Sequence, residues 1–471
     1  MWEQINEILV TIDDFVWGVP LMVLILAGGV YLTIRLGLLQ VIRLPKALKF
    51  MVKNEDGAEG EVTSFGALCT ALSATIGTGN IVGVATAIAA GGPGALFWME
   101  VAAFFGMATK YAEGLLAVKY RVVDKENHAL GGPFYYIEKG MGIKWKWLAK
   151  IFAFFGVCVG LMGIGTFSQV NGISSAVEGF FDPKGSYMIE IPFIGEYSWT
   201  VIIASLLLST CVALVLIGGI KRIVSVSQII VPFMAAIYII LAVALIICNI
   251  TEVPAAIGII VEGAFNPQAV TGGVIGSMVV AMQKGVARGI FSNEAGLGSA
   301  PIAAAAAQTK EPVRQGLVTM TGTFIDTIVI CTMTGLAIVM TGANQVAGLE
   351  GVEITNYAFN NGLPIPEVVS SFLLMLCLVF FAFTTILGWN YYSERCLEYL
   401  TGGNMSKVMV FRWIYIAAVF IGPYMTVSAV WTIADIFNGL MALPNMIAIF
   451  ALSGVVIKET KKYFDKVKSN S

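Results

Sequence analysis

The sequence predicts an all-α integral membrane protein with 11 transmembrane helices, built as a five-plus-five inverted repeat behind one extra N-terminal helix. Three observations carry that expectation. The chain is 57% hydrophobic and 12% charged, with a mean hydropathy of +0.83, whereas soluble domains carry about 25% charged residues. Apolar stretches long enough for a hydrocarbon core of about 30 Å recur from end to end. Two of these stretches are interrupted by glycine and polar residues at matching positions of the two halves.

The helices α1 to α11 are expected at 17–34, 64–90, 94–120, 148–178, 198–218, 226–248, 267–288, 315–342, 367–395, 408–426 and 430–456. Before α1, Met1–Val19 is polar and acidic and lacks the basic region of a cleaved signal peptide. α2 opens at Ser64 and is interrupted by Ala74-Thr75-Ile76-Gly77-Thr78-Gly79-Asn80-Ile81-Val82-Gly83. α4 carries Gly156 and Gly160, which suit close helix packing. α7 starts at Asn266-Pro267, where proline fits the first helical turn. Ten residues at about 1.5 Å each carry it to the midplane, so Thr271-Gly272-Gly273-Val274-Ile275-Gly276-Ser277-Met278 is read as the second break. The same arithmetic puts Lys284 and Arg288 at the cytoplasmic surface. α8 places Asp326 deep in the membrane. Residues 1–62 then hold the extra helix and a linker, 63–250 the first repeat, 251–457 the second, and 458–471 a cytoplasmic tail.

Charge sets the orientation. Arg35, Arg43, Lys46, Lys49 and Lys53 follow α1, a basic group surrounds the α3–α4 connection, and lysines follow Ile457. Asp182, Glu190, Glu196, Glu252, Glu262, Glu350 and Glu353 collect on the other side. The positive-inside rule then puts the N-terminus outside and the C-terminus in the cytoplasm.

A helix that stops in hydrocarbon frees N–H and C=O groups, which is tolerable only where a cavity or ligand takes those bonds. Paired breaks in two halves point to the binding site of a secondary transporter. Enzyme chemistry is poorly supported. The sole histidine, His128, lies in a predicted loop, so metal clusters and triads that need histidine in the membrane are excluded. No Gly-Lys dipeptide exists, so there is no P-loop. The seven cysteines are scattered without a CxxC pair and suit apolar packing. No nucleic-acid partner is expected. A channel also uses broken helices, but this chain has no symmetric repeated filter.

Three motifs add a resemblance. Gly91-Gly92-Pro93-Gly94-Ala95-Leu96-Phe97-Trp98-Met99, Gly106-Met107-Ala108-Thr109-Lys110-Tyr111-Ala112-Glu113 and Gly285-Val286-Ala287-Arg288-Gly289-Ile290-Phe291-Ser292-Asn293-Glu294-Ala295-Gly296-Leu297-Gly298-Ser299-Ala300-Pro301 resemble the signatures of the alanine/glycine:cation symporters. Glu100 departs from the family, which has tryptophan there. The resemblance implies sodium-driven uptake of alanine or glycine across a prokaryotic plasma membrane, no organic cofactor, and the leucine-transporter fold. A proton-coupled permease is the mechanistic alternative.

An amino acid needs donors for its carboxylate and acceptors for its ammonium. Backbone N–H groups at Thr78 and Gly79, with side-chain donors from Asn80 and Gln169, are expected at the carboxylate. Carbonyls around Gly273, Gly276 and Ser277 are expected at the ammonium, and Trp389 and Phe167 are candidate lids. The fold implies one sodium between α2 and α9, held by the carbonyls of Ser73, Ile76 and Phe381 and the hydroxyls of Thr384 and Thr385. Asp326, costly to bury in a membrane, is a candidate for a second cation with Asn80 and Ser277, or a structural partner of neighbouring polar groups.

Overall fold

The structure is a computed structural model that describes residues 2–53, 55, 60–123, 128–186, 188–191, 195–265, 274–424 and 427–469. It is helical almost throughout. The strands among the described residues form two short antiparallel hairpins, Val122–Val123 with Ala129–Leu130 and Met188–Ile191 with Gly195–Ser198. Eight helices are long and apolar enough to cross a membrane, and Val19–Arg35, Ser64–Thr75 and Val82–Gly91 are shorter apolar helices.

Helices fall on most of the expected stretches, with shifted bounds. α1 is Val19–Arg35. α2 is split into α2a, Ser64–Thr75, and α2b, Val82–Gly91, around a tight turn at Thr78–Asn80. α3 is Gly94–Tyr120. α4 is interrupted as well, into Lys146–Met162 and Phe167–Phe181. α5 is Trp199–Leu216 and α6 is Gly219–Cys248. α7 is Val274–Asn293. α8 runs Pro312–Thr323, widens into a π turn at Phe324–Cys331, and ends as Thr332–Met340. α9 is Glu367–Thr401, α10 Met405–Ile421 and α11 Val427–Ser469. The polar N-terminus forms a further helix, Trp2–Val16, which the sequence reading did not count.

Two sequence expectations need correction. The first is the second break. Thr271, Gly272 and Gly273 lie outside the described residues, but α7 continues without interruption through Gly276 and Ser277. It stops at Asn293, and the break is Glu294–Ser299. Glycine inside a helix costs only about 1 kcal/mol, so Gly276 does not by itself end one. A left-handed backbone does. Gly296 and Gly298 have φ of 91° and 82°, and Glu294 adopts 57° although it is not a glycine.

The second correction concerns depth, since the direction of α7 is the expected one. α7 runs antiparallel to α2b and beside the start of α3. Lys284 packs on Gly91, and a Cβ at Gly285 would stand 2.2 Å from the Ala95 carbonyl oxygen. Lys284 and Arg288 therefore lie at the end of the molecule opposite the basic loops. The membrane midplane was reached about one helix-length too early in the arithmetic.

Candidate functional site

The α2 break is held open by side chains. In a continuous helix the Gly77 amide would bond to the Ser73 carbonyl, and the Thr78 amide to Ala74. Here Gly77 N–H donates to Oδ1 of Asn80 at 2.9 Å, and Thr78 N–H donates to Oε1 of Gln169 at 3.0 Å. The Ser73 and Ala74 carbonyls lose their helical partners. The Gly79 amide has no acceptor among the described residues, and the Thr78 hydroxyl is buried without a partner. The N-terminal, positive end of α2b thus faces the same spot as a free amide.

The α7 break follows the same logic. The amides that would close the last turn, Ala295 and Gly296, donate instead to Oδ1 of Asn293 at 2.9 Å and to Oε1 of Glu113 at 3.2 Å. The Ser292 carbonyl is left without its helical partner at the negative end of α7. This end meets the α2 break: a Cβ at Gly79 would lie 3.2 Å from the Ser292 Cα and Cβ. An amide-rich positive end and a carbonyl-rich negative end are therefore side by side, which is the complement of a zwitterion.

Gly276 and Ser277 are not part of this meeting. Ser277 is fifteen residues before Ser292 on one helix, a distance of roughly 22 Å at 1.5 Å per residue. Phe291, Ser292 and Glu294 are the residues sequence reasoning missed at this position. The run Asn293-Glu294-Ala295-Gly296-Leu297-Gly298-Ser299 carried the signal: alternating glycines beside polar residues, inside a segment otherwise apolar.

The expected carboxylate donors are partly corrected. Asn80 is spent on the fold. Its amide nitrogen donates to the Asp326 side chain at 2.8 Å and to the Asp326 carbonyl at 3.1 Å, while its oxygen braces Gly77. Asp326 also accepts from the Ser292 hydroxyl at 2.9 Å and the Thr327 hydroxyl at 2.7 Å. Both carboxylate oxygens have donors, so Asp326 ties α8 to the two breaks. Gln169 does reach the α2 break, just beyond the interruption of α4. Trp389 is fully buried on α9, with its Cβ 2.7 Å from where a Cβ on Gly165 would sit. Phe167 lies instead against Gly422 of the α10–α11 connection.

On the other side of the α2 break, three expected oxygens converge. Oγ1 of Thr385 donates to the Ile76 carbonyl at 3.3 Å and to the Phe381 carbonyl at 3.0 Å. Gly388 lets α9 come this close, since a Cβ there would meet the Ala74 nitrogen at 2.8 Å. Ser73, with its freed carbonyl, is fully buried one turn below Gly77. Thr384 is different. Its hydroxyl turns to its own helix, donating to Phe380 and Phe381 carbonyls at 3.1 and 3.0 Å, and toward the Met234 sulfur.

Ion pairs lie to either side of the α2 break. Arg288 of α7 holds Asp435 of α11 through two bonds of 3.0 and 2.9 Å, on the side of the acidic loops. At the basic end Arg395 of α9 binds Glu398 at 2.8 Å and Glu61, just before α2a, at 3.3 Å. His128 of the first hairpin joins this cluster by contacting Arg395. Thr78 and Gln169, between the two pairs, are buried.

Comparison with known proteins gives a consistent picture. Residues 2–471 match the model of the sodium:alanine symporter family. The chain is 46% identical to the sodium/alanine symporter AgcS of Methanococcus maripaludis, over 98% of this chain and 97% of that one. It is 37% identical to the probable sodium/glutamine symporter GlnT of Bacillus subtilis, over 99% and 92% of the two chains. It is 36% identical to the putative sodium/proton-dependent alanine carrier protein YrbD of Bacillus subtilis, over 97% and 92%. These relatives are transporters and not enzymes.

Proposed function

Because this chain belongs to the sodium:alanine symporter family, we propose that it is a sodium-coupled symporter that takes up small neutral amino acids, alanine and glycine, by alternating access. The observation that carries the reading is the meeting of the two breaks, with Gly79 against Ser292. The carboxylate takes the Gly79 amide at the positive end of α2b, and the ammonium takes the Ser292 carbonyl at the negative end of α7. Gln169 turns its amide so that the nitrogen donates to the carboxylate, releasing the Thr78 N–H as a further donor. Trp389 walls the pocket from α9.

Sodium, the co-transported ion, is held on the other side of the α2 break by the carbonyls of Ser73, Ile76 and Phe381 and the hydroxyl of Thr385. A hard cation favours such oxygens without a carboxylate. The same break thus supplies N–H groups to the substrate and C=O groups to sodium, so the geometry of one site depends on the other. Release of Arg288–Asp435 opens one end, and release of Glu61–Arg395 opens the other. We place α2–α6 and α7–α11 as the inverted repeats of the leucine-transporter fold, with 11 spans in all and α1 outside the repeats. The N-terminus is outside and the C-terminus inside a prokaryotic plasma membrane. The test is uptake of labelled alanine by the full chain in proteoliposomes. A sodium gradient drives accumulation; equal uptake under a proton gradient without sodium would refute sodium coupling.

A further inference from the structure

The transport reading leaves the connection from α1 to α2a unused. From Arg35 to Lys53 it carries five cations, Arg35, Arg43, Lys46, Lys49 and Lys53, and no acidic residue. It folds into one helical turn, Leu39–Ile42, and a linker helix, Leu44–Val52. One face of this segment packs on the protein. Ala47 is fully buried. The Arg43 guanidinium lies 4.3 Å from the Phe464 ring centre, and the Lys46 ammonium 5.3 Å from that of Tyr463. Arg314, in the first turn of α8, lies 4.7 Å from the Phe50 ring centre. The linker helix therefore crosses the basic ends of α8 and α11.

The other face has no protein partner among the described residues. Leu38, Val41, Ile42, Leu48 and Val52 are between 38% and 73% exposed, and Pro45 is exposed with them. Their spacing of three and four residues makes one stripe. Lys49 and Lys53 are exposed along the edge of that stripe. The nearest acidic residue in sequence, Glu55, is turned away from them. It accepts from the Thr309 hydroxyl at 3.0 Å and from the Lys310 amide at 3.2 Å. Two cations thus border an apolar stripe, on a helix held between two apolar helices at the surface where α8 begins. A helix of this kind lies in the plane of a membrane interface, with lysine stems along the apolar surface and their charges at the headgroups.

We propose that the segment from Leu38 to Lys53 binds an anionic phospholipid. The apolar stripe takes the acyl chains, and Lys49 and Lys53 take the headgroup phosphate. Charge selects this occupant. A zwitterionic lipid would bring its own ammonium against the two lysines. A free phosphate would leave the stripe in water. A second copy of the chain, stripe against stripe, would bring the lysines of both copies together. The bound lipid presses the linker helix onto α8 through Phe50 and Arg314, so it steadies that end of the molecule. The proposal does not depend on what the protein transports.

The test is native mass spectrometry of the purified full chain, stripped of lipid and titrated with phosphatidylglycerol or phosphatidylcholine. The expected result is tighter binding of phosphatidylglycerol, weakened by salt. A lysine near an anionic headgroup is worth about fivefold in affinity, so Lys49→Gln with Lys53→Gln should weaken the tightest phosphatidylglycerol by roughly twenty-five-fold. Lys461→Gln with Lys462→Gln, exposed lysines of the α11 tail, should leave it unchanged. All four lysines are exposed, so folding is not at stake in this comparison. Leu48→Ser with Val52→Ser should also weaken phosphatidylglycerol, and soluble glycerol phosphate should not bind at lipid concentrations. Equal affinity for the two lipids, equal losses in the two lysine pairs, or glycerol phosphate binding as tightly as phosphatidylglycerol would overturn the proposal. A dimer that Leu48→Ser with Val52→Ser dissolves would overturn it too, because the stripe would then meet a second copy.

Discussion

Thr385→Val separates the proposed sodium ligand from its neighbour. Valine matches threonine in shape, so the change removes an oxygen and little packing. The hydroxyl lies 3.3 Å from the Ile76 carbonyl and 3.0 Å from the Phe381 carbonyl, with α9 pressed onto α2a at Gly388. Losing one such contact to a charged group costs about 1.5–3 kcal/mol, or roughly ten- to a hundred-fold in affinity. The sodium concentration for half-maximal alanine uptake should rise by that factor, and Thr385→Ser should restore most of it. Thr384→Val should shift it by less than about threefold, because that hydroxyl bonds back to Phe380 and Phe381, a local bond worth little net. The assay is alanine uptake in proteoliposomes against external sodium. Unchanged sodium dependence in Thr385→Val, or an equal shift in Thr384→Val, would refute the assignment.

Three further outcomes follow from the same geometry. Gly79→Ala should weaken alanine binding with folding largely retained, since its methyl must push Ser292 back from 3.2 Å at a strain of about 1–3 kcal/mol; calorimetry of alanine binding reads this. Gln169→Leu should weaken alanine by roughly ten- to a hundred-fold and leave the weak binding of alaninol, which lacks the carboxylate, unchanged; equal losses for both would show a structural role. Asn80→Leu should lower thermal stability more than Gln169→Leu does, because it strips the brace from Gly77 and a donor from buried Asp326.

The helices were legible because a membrane reduces the problem to length and hydropathy. Ser64, Pro312 and Glu367 open helices near where polarity places them. The α2 break was legible too, because Thr78 and Asn80 put polar groups where packing alone needs none. The α7 break was misplaced for a physical reason. A glycine pair such as Gly272-Gly273 marks low helix propensity, but a helix ends where amides find other acceptors. Those acceptors, Oδ1 of Asn293 and Oε1 of Glu113, come from the break itself and from α3, and a tertiary partner is invisible along one chain. Asn80 was misread similarly: its type fits a carboxylate donor, but Asp326, distant in sequence, claims its amide. Thr385 and Thr384 were indistinguishable in sequence, and only the helix phase of α9 against Gly388 tells them apart.

The central claim is that substrate lies between the two breaks, at Gly79 and Ser292. The direct measurement is an experimental structure of the full chain with alanine and sodium bound. The account predicts alanine density with its carboxylate on the Gly79 amide and its ammonium on the Ser292 carbonyl. Density beside Gly276 and Ser277, or away from both breaks, would contradict it.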